Sequence, residues 1–270
     1  MVDEVWRKPF RQFLSHMEDS ERLTRLTYKG IRGVVTLIEI GGILRDGAKV
    51  DSERHSTNEE LQRLSNAEIS SDFPLLHAHA IMGEWGALEC LVEDLVEAWV
   101  KFKPETLELP VFARVKVPLA DFLNMAEGDR TRFLVAEVQR DLKLDLKSGA
   151  TKFEKLLDAI GLGGPVDSRV KDALYEAQNI RNVWAHRAGI ADRRLVEACP
   201  NLNFTEGERV NVSSGGYARY RNAFFTYAVT VLNRCHRECG YKPLATELPE
   251  FEGALRFDAP EVPSGDIPQI

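Results

Sequence analysis

Residues 75–103 place large apolar side chains on one face of a continuous helix, and this pattern constrains the fold more than any other feature of the sequence. Pro74 precedes the segment, at a position that tolerates proline in a first helical turn, and Pro104 ends it. A helix of this length spans roughly 40 Å, so we expect it to form the centre of a helical domain. Its apolar positions recur at spacings of three and four, at Leu88, Leu91, Val92, Leu95, Val96, Trp99 and Val100.

The same periodicity predicts further helices, so the fold class is mainly α, a helical bundle. Asp167 or Ser168 is the expected N-cap of one of them, and Gly189 its left-handed stop. Residues 34–40 are β-branched and fit either a strand or an extension of the first helix. Residues 208–213 fit a small strand or hairpin arm. The further predicted helices cover residues 6–28, 119–125, 129–144, 152–160, 167–188 and 217–239.

The chain is expected to have three parts: an N-terminal helical extension (1–70), the bundle (71–242) and an extended acidic, Pro-rich tail (243–270). The net charge is −7, and residues 247–270 hold six acidic residues against one basic residue. The rest of the chain is therefore nearly neutral. Uncharged runs are far shorter than the ~20 residues that cross a bilayer, and the first ten residues are charged. We therefore expect a cytoplasmic protein without a membrane partner.

Two short motifs resemble a metal site and a phosphate-binding loop, but their residue spacing supports neither. Cys235, His236 and Cys239 lie close together, but no second Cys/His pair completes a tetrahedral metal site. Gly30 and Gly33 lack both the three-glycine dinucleotide fingerprint and a following Gly-Lys-Ser/Thr. We therefore predict reduced thiols, no metal and no cofactor.

The end of the predicted helix 167–188 carries an unusual concentration of polar groups. One face beside a core stripe holds four polar residues at spacings of three or four, namely Tyr175, Gln178, Asn182 and His186. Arg181 and His186 are about 140° apart on an ideal helix. Only an arginine that bends across the last turn, or a second copy of the helix, brings both to one ligand. The core stripe comprises Val170, Ala173, Leu174, Ala177 and Trp184.

Charge around this helix end favours an anionic ligand. Residues 169–194 hold six basic side chains against three acidic ones, in a chain that is otherwise close to neutral. A simpler interpretation is also open, because cations near a helix C-terminus complement the helix dipole and exposed arginines are ordinary.

The segment Arg181-Asn182-Val-Trp-Ala-His186 resembles the signature of the HEPN superfamily, an arginine followed by a polar residue and then a histidine, with four to six residues between the arginine and the histidine. Here four residues intervene. HEPN domains are helical bundles in which this motif ends one long helix, packed against an earlier helix that often contains Trp-x-x-Leu-Glu. Here Trp85-Gly-Ala-Leu-Glu89 lies on the predicted central helix. The resemblance, to the RiboL-PSP-HEPN-like bacterial group, covers residues 75–239. Some HEPN toxins carry a tyrosine two positions after the histidine, where this chain has Ala188.

The resemblance implies metal-independent RNA cleavage at a composite site of a homodimer. His186 would act as general acid or base and Arg181 would hold the scissile phosphate. Asn182 would orient His186 or contact the phosphate, and Glu89 would lie beside Arg181. We expect Gln178, Arg187 and Arg193 to contact RNA. Such nucleases are often toxins or anti-phage effectors, so an antitoxin or sensor partner is also expected.

Two other classes of function stay open. A non-catalytic HEPN module would bind RNA or nucleotides, or dimerise, without cutting. A purely structural helical adaptor would do neither, and would hold Arg181 and His186 in ion pairs with internal carboxylates. The acidic tail is expected to be a solubilising segment, with competition against RNA as the alternative.

Overall fold

The structure is a computed structural model that describes residues 6–44, 52–144 and 149–246, and within these ranges the chain is mainly helical. Side chains are described for the same ranges apart from residues 43, 44 and 52–55. Ten α-helices follow one another: α1 Lys8–Leu44, α2 Ser52–Ser70, α3 Pro74–Phe102, α4 Pro110–Ala113, α5 Leu119–Asn124, α6 Glu127–Asp141, α7 Ala150–Ala159, α8 Ser168–Arg187, α9 Arg193–Ala198 and α10 Ser214–Glu238.

Helix α3 is the central element that the sequence predicts. It packs against α1, α6, α8 and α10, and Trp85 at its middle is fully buried between the rings of Phe153 and Phe224. Its N-cap Phe73 is left-handed (φ 53°) and Pro74 opens the first turn. The predicted helix 75–103 is confirmed.

Helix α1 settles the alternative for residues 34–40, which continue the helix rather than form a strand. Its first half belongs to the same core as α3, through Phe10, Phe13 and Met17, together with Trp6 just before the helix. Beyond Thr24, as far as Gly42, none of its residues is fully buried. The segment assigned to an N-terminal extension is thus packed into the bundle at its start and exposed further on.

The predicted strand or hairpin at 208–213 is wrong, since the described residues contain one isolated antiparallel bridge, Ile190 to Arg209, and no strand. The backbone NH of Val210 donates to Gly189 O (2.8 Å). Further along this segment, side chains rather than backbone NH groups contact the carbonyl oxygens that a longer β-ladder would use. Trp184 Nε1 donates to Val210 O (3.1 Å), and His77 Nδ1 lies 2.9 Å from Val212 O.

The first residues of the predicted tail lie against α10. Asn233 exchanges hydrogen bonds with the backbone of Leu244, and Thr226 donates to Thr246 O. Residues 247–270, the rest of the tail, lie outside the described residues. None of the helices in the described ranges is long and apolar enough to cross a membrane.

A carboxyl group lies in the core between α1, α3 and α10. Glu84 is fully buried and accepts a hydrogen bond from Tyr217 Oη (2.8 Å). The guanidinium of Arg221 lies 3.6 Å from Glu84 and 2.7 Å from Glu21. Burial outweighs the attraction of Arg221 and raises the pKa of Glu84 from 4.5 to about 7.

This raised pKa predicts a component of stability that is lost as pH rises. A carboxyl with a higher pKa in the folded chain binds its proton more tightly there than in the unfolded chain. Raising pH from 4.5 to about 7 therefore lowers the free energy of unfolding of the wild type. The Glu84→Gln variant has no carboxyl at this position and should lack this part of the pH dependence. Urea unfolding of both proteins across this range measures the difference. Parallel pH profiles would contradict the assignment.

Candidate functional site

Helix α8 carries the polar residues singled out in the sequence, and its caps are those predicted. The Asp167 carboxylate accepts from the backbone NH of Arg169. At the other end Ala188 and Gly189 are both left-handed, with φ of 52° and 77°. A Cβ on Gly189 would lie 2.9 Å from the ring of Trp184. Only glycine therefore fits where the chain turns back beneath this tryptophan.

The predicted core stripe of α8 is correct in its middle and wrong at its ends. Ala173, Leu174 and Ala177 are buried, whereas Val170 and Trp184 are half-buried. Ile180 and Val183 are buried instead. The reason is that α8 packs against both α3 and α10, so it buries a wider arc than a single stripe.

A cavity of about 680 Å³ opens beside the C-terminal half of α8, and most of the predicted site residues line it. Its walls come from α3, α7, α8 and α9. The predicted residues among its lining are Glu89, Gln178, Arg181, Asn182, His186 and Arg187. Arg181 and His186 thus line one cavity of a single chain, although they lie on different faces of the helix. The helix geometry alone therefore does not require a second copy.

Two neighbours hold Arg181 in the wall of this cavity. Its Nη1 donates to Asn182 Oδ1 (3.1 Å), and its Nη2 lies 3.9 Å from a carboxylate oxygen of Glu89. The other oxygen of Glu89 accepts from Lys152 Nζ (2.9 Å). Glu89 therefore bridges two cations, one from α8 and one from α7. About a third of the Arg181 side chain (32%) stays exposed.

His186 is exposed and makes no hydrogen bond or ion pair with any residue that the structure describes. Asn182, four residues earlier, uses its side-chain oxygen for Arg181. The imidazole is thus accessible to a ligand in the cavity, but no described group of its own chain fixes the orientation of the ring.

The remaining predicted residues have different roles in the structure. Gln178 accepts from the backbone NH of Gly149 and so joins α8 to the start of α7. Arg187 lies 3.5 Å from Asp192, which caps α9. Arg193 does not line the cavity, because its exposed side chain pairs with Glu197 on the outer face of α9. The next residue, Arg194, lines the cavity in its place.

Several lining residues have no assigned role in the sequence-based prediction of the site. Lys152 is on α7, 63 residues after Glu89 in the chain, so no sequence spacing predicts that these two side chains pair. Arg194 and Asp192 belong to the basic window, but their direction depends on the loop that follows α8. Sequence reasoning missed Lys152 altogether. The other polar lining residues lie in the segment that the sequence singles out, but the prediction assigns no role to them: Tyr175, Asn179, Asp192 and Arg194.

The balance of charge favours an anion in this cavity more than in a larger one nearby. Its lining holds four basic side chains against two carboxylates, before His186 is counted. A second cavity of about 900 Å³ lies between the first half of α8 and α10, but three carboxylates face two arginines there. Of those two arginines, Arg219 is paired with the buried carboxylate of Glu176.

No family model, curated protein or solved structure matches this chain. Among the described residues, no three His, Cys, Asp or Glu side chains form a group that could hold a metal ion. The thiol of Cys235 is buried, and His236 Nδ1 lies 2.8 Å from Lys242 O. What the basic cavity can do follows from its own side chains, namely bind an anion and exchange a proton beside it.

Proposed function

We propose that this chain is a metal-independent endoribonuclease with a helical bundle of the HEPN type. The observation that carries the proposal is the common cavity of Arg181, Asn182 and His186, with Glu89 of the central helix beside the arginine. The sequence motif predicts these residues as a set. Their convergence on one basic, water-accessible cavity supports a role in binding and cleaving a polyanion.

The chemistry needs one permanent cation and one group that exchanges protons near neutral pH. Arg181 would hold the scissile phosphate, since guanidinium remains charged and can bind a phosphate with two parallel hydrogen bonds. His186 would take the proton of the ribose 2′-hydroxyl or give one to the leaving 5′-oxygen. Attack of the 2′-oxygen on phosphorus then breaks the bond to the 5′-oxygen. The products are a 2′,3′-cyclic phosphate and a 5′-hydroxyl.

Asn182 is better suited to positioning Arg181 than to orienting His186. Its side-chain oxygen accepts from the guanidinium, which fixes the arginine beside the cavity. The role of orienting His186 is left for another group. A homodimer in which the second copy supplies that group, or the RNA itself, would complete a composite site. A toxin or anti-phage effector restrained by an antitoxin or sensor is the setting that we propose with this activity.

One observation favours a second candidate, a HEPN module that binds RNA or nucleotides without cutting. General acid–base catalysis needs a ring held within hydrogen-bond reach of the proton that it moves. In this chain His186 has no described partner that holds it, whereas Arg181 is positioned for binding. Such a binding module would bind RNA without cleaving it, whereas the nuclease would do both.

Purified chain incubated with RNA in excess EDTA tests the proposal. We expect cleavage to persist, because no step of the mechanism uses a metal ion, and mass spectrometry of the fragments should show cyclic phosphate ends. RNA binding without fragments would favour the binding module. Cleavage that EDTA stops would overturn the proposed chemistry.

A further inference from the structure

The second half of α1 exposes large apolar side chains that the bundle does not cover. Leu23 (63%), Leu26 (62%), Leu37 (70%) and Ile40 (47%) are all exposed, on a helix whose opposite side packs against α2 and α3. Scattered exposed leucines are normal in proteins, but several on one face of one helix form an apolar patch.

These residues follow the spacing of a coiled-coil seam. Positions 23, 26, 30, 33, 37 and 40 alternate steps of three and four, which keep a seam against a partner helix. Gly30 and Gly33 occupy the middle of the seam, and a Cβ on either would have no heavy atom within 4 Å from the other parts of the chain that the structure describes. The described residues thus leave space at both glycines, although glycine inside a helix costs about 1 kcal/mol relative to alanine.

The seam is complementary to itself when reversed, because the order of its steps is the same from either end. An antiparallel copy on a two-fold axis between Ile31 and Arg32 places Leu23 opposite Ile40 and Leu26 opposite Leu37. Gly30 then lies opposite Gly33 of the second copy, at the crossing point where small residues let two backbones approach. An isologous contact of this kind is the usual route to a homodimer.

We propose that α1 pairs with α1 of a second copy of this chain, antiparallel, through Leu23, Leu26, Gly30, Gly33, Leu37 and Ile40. The seam is about 26 Å long at 1.5 Å per residue. A strip of that length on each of two helices buries on the order of 1,000 Å² in total, the least that a specific interface requires. The residue types along the seam are mirrored as well, with two large apolar residues on each side of a central glycine pair, and this favours a second copy as the occupant over an unrelated helix. This interface does not depend on the proposed ribonuclease activity.

Sedimentation velocity of the full chain tests the interface directly. We expect a dimer, and a rise of at least a hundredfold in its dissociation constant for the double variant Leu26→Glu/Leu37→Glu. The matched control is Leu119→Glu/Leu123→Glu, on exposed leucines of α5 outside the seam. The control should remain dimeric, and circular dichroism should show equal helix content in all three proteins. A wild-type monomer at every concentration, or a dimer unaffected by the seam variant, overturns the proposal.

Cysteine pairing tests the register and the direction. In a Cys90→Ser background, which removes the exposed native thiol, Leu26→Cys and Leu37→Cys chains are prepared separately and then mixed. Oxidation should link the mixed chains and neither variant alone, because a disulfide needs Cα atoms within about 7 Å. Efficient linkage of Leu26→Cys with itself would indicate a parallel seam and overturn the proposed arrangement. Absence of linkage in the mixture would also overturn it.

Discussion

Replacing His186 by alanine is expected to lower the rate of RNA cleavage by about 10²–10⁴-fold, the usual contribution of a general acid or base. The imidazole is exposed at the cavity and has no described partner in its own chain, so its removal should leave the fold intact. Arg181→Ala should cost about 10²–10³-fold, as for the loss of a donor to developing negative charge. Initial rates on a labelled RNA in excess EDTA measure both effects.

Two matched controls separate this chemistry from general damage. His16→Ala removes an exposed histidine of α1, and Arg140→Ala removes an exposed arginine of α6 that pairs with Glu137. Neither lines the basic cavity, so both should cleave at the wild-type rate. If His186→Ala degraded RNA as fast as the wild type, the proposed role of this histidine would be wrong.

Arg234→Leu is expected to lower the free energy of unfolding by about 3–5 kcal/mol, since it removes a buried guanidinium and leaves the partly buried carboxylate of Glu154 without its cation. Arg234 is 5% exposed, and its guanidinium donates to both oxygens of Glu154, at 3.1 and 3.0 Å. It also donates to the carbonyls of Leu162, Gly164 and Pro165. One side chain thus holds the loop between α7 and α8 against α10.

Urea unfolding followed by circular dichroism measures this loss. Arg237→Leu is the matched control, because Arg237 is exposed near the end of the same helix. That variant should stay within about 0.5 kcal/mol of the wild type, as most surface substitutions do. Equal midpoints for Arg234→Leu and Arg237→Leu would show that the network around Arg234 contributes little to stability.

The helices with a strong apolar stripe could be predicted from the sequence, and those without one could not. The prediction for 75–103 matches α3 within one residue at each end. Helix α6 ends at Asp141, short of the predicted 144, because Lys143 takes a left-handed conformation (φ 51°). Helix α2 was not predicted, since its polar sequence has few apolar positions beyond Leu61, Leu64 and Ile69.

The candidate site shows a similar division. Residues of the motif could be predicted together because they lie within two turns of one helix, where spacing determines proximity. Lys152 could not be predicted, because it reaches Glu89 through the packing of α7 beside α3 and α8. Arg194 lines the cavity where Arg193 was expected, because the direction of both side chains depends on the turn at Gly189 after α8. Helical periodicity does not predict the geometry of such a turn.

The position of Glu89 between Lys152 and Arg181 leads us to expect that the cavity distinguishes anions by size as well as by charge. Since Glu89 already serves as the counter-ion of Lys152 and lies beside Arg181, a small monovalent anion gains little by displacing it. A chain of phosphates can engage several cations of the cavity at once, so that each contact raises the effective concentration of the next. An extended polyanion would then draw these cations away from the carboxylate of Glu89, and its affinity would fall as salt rises.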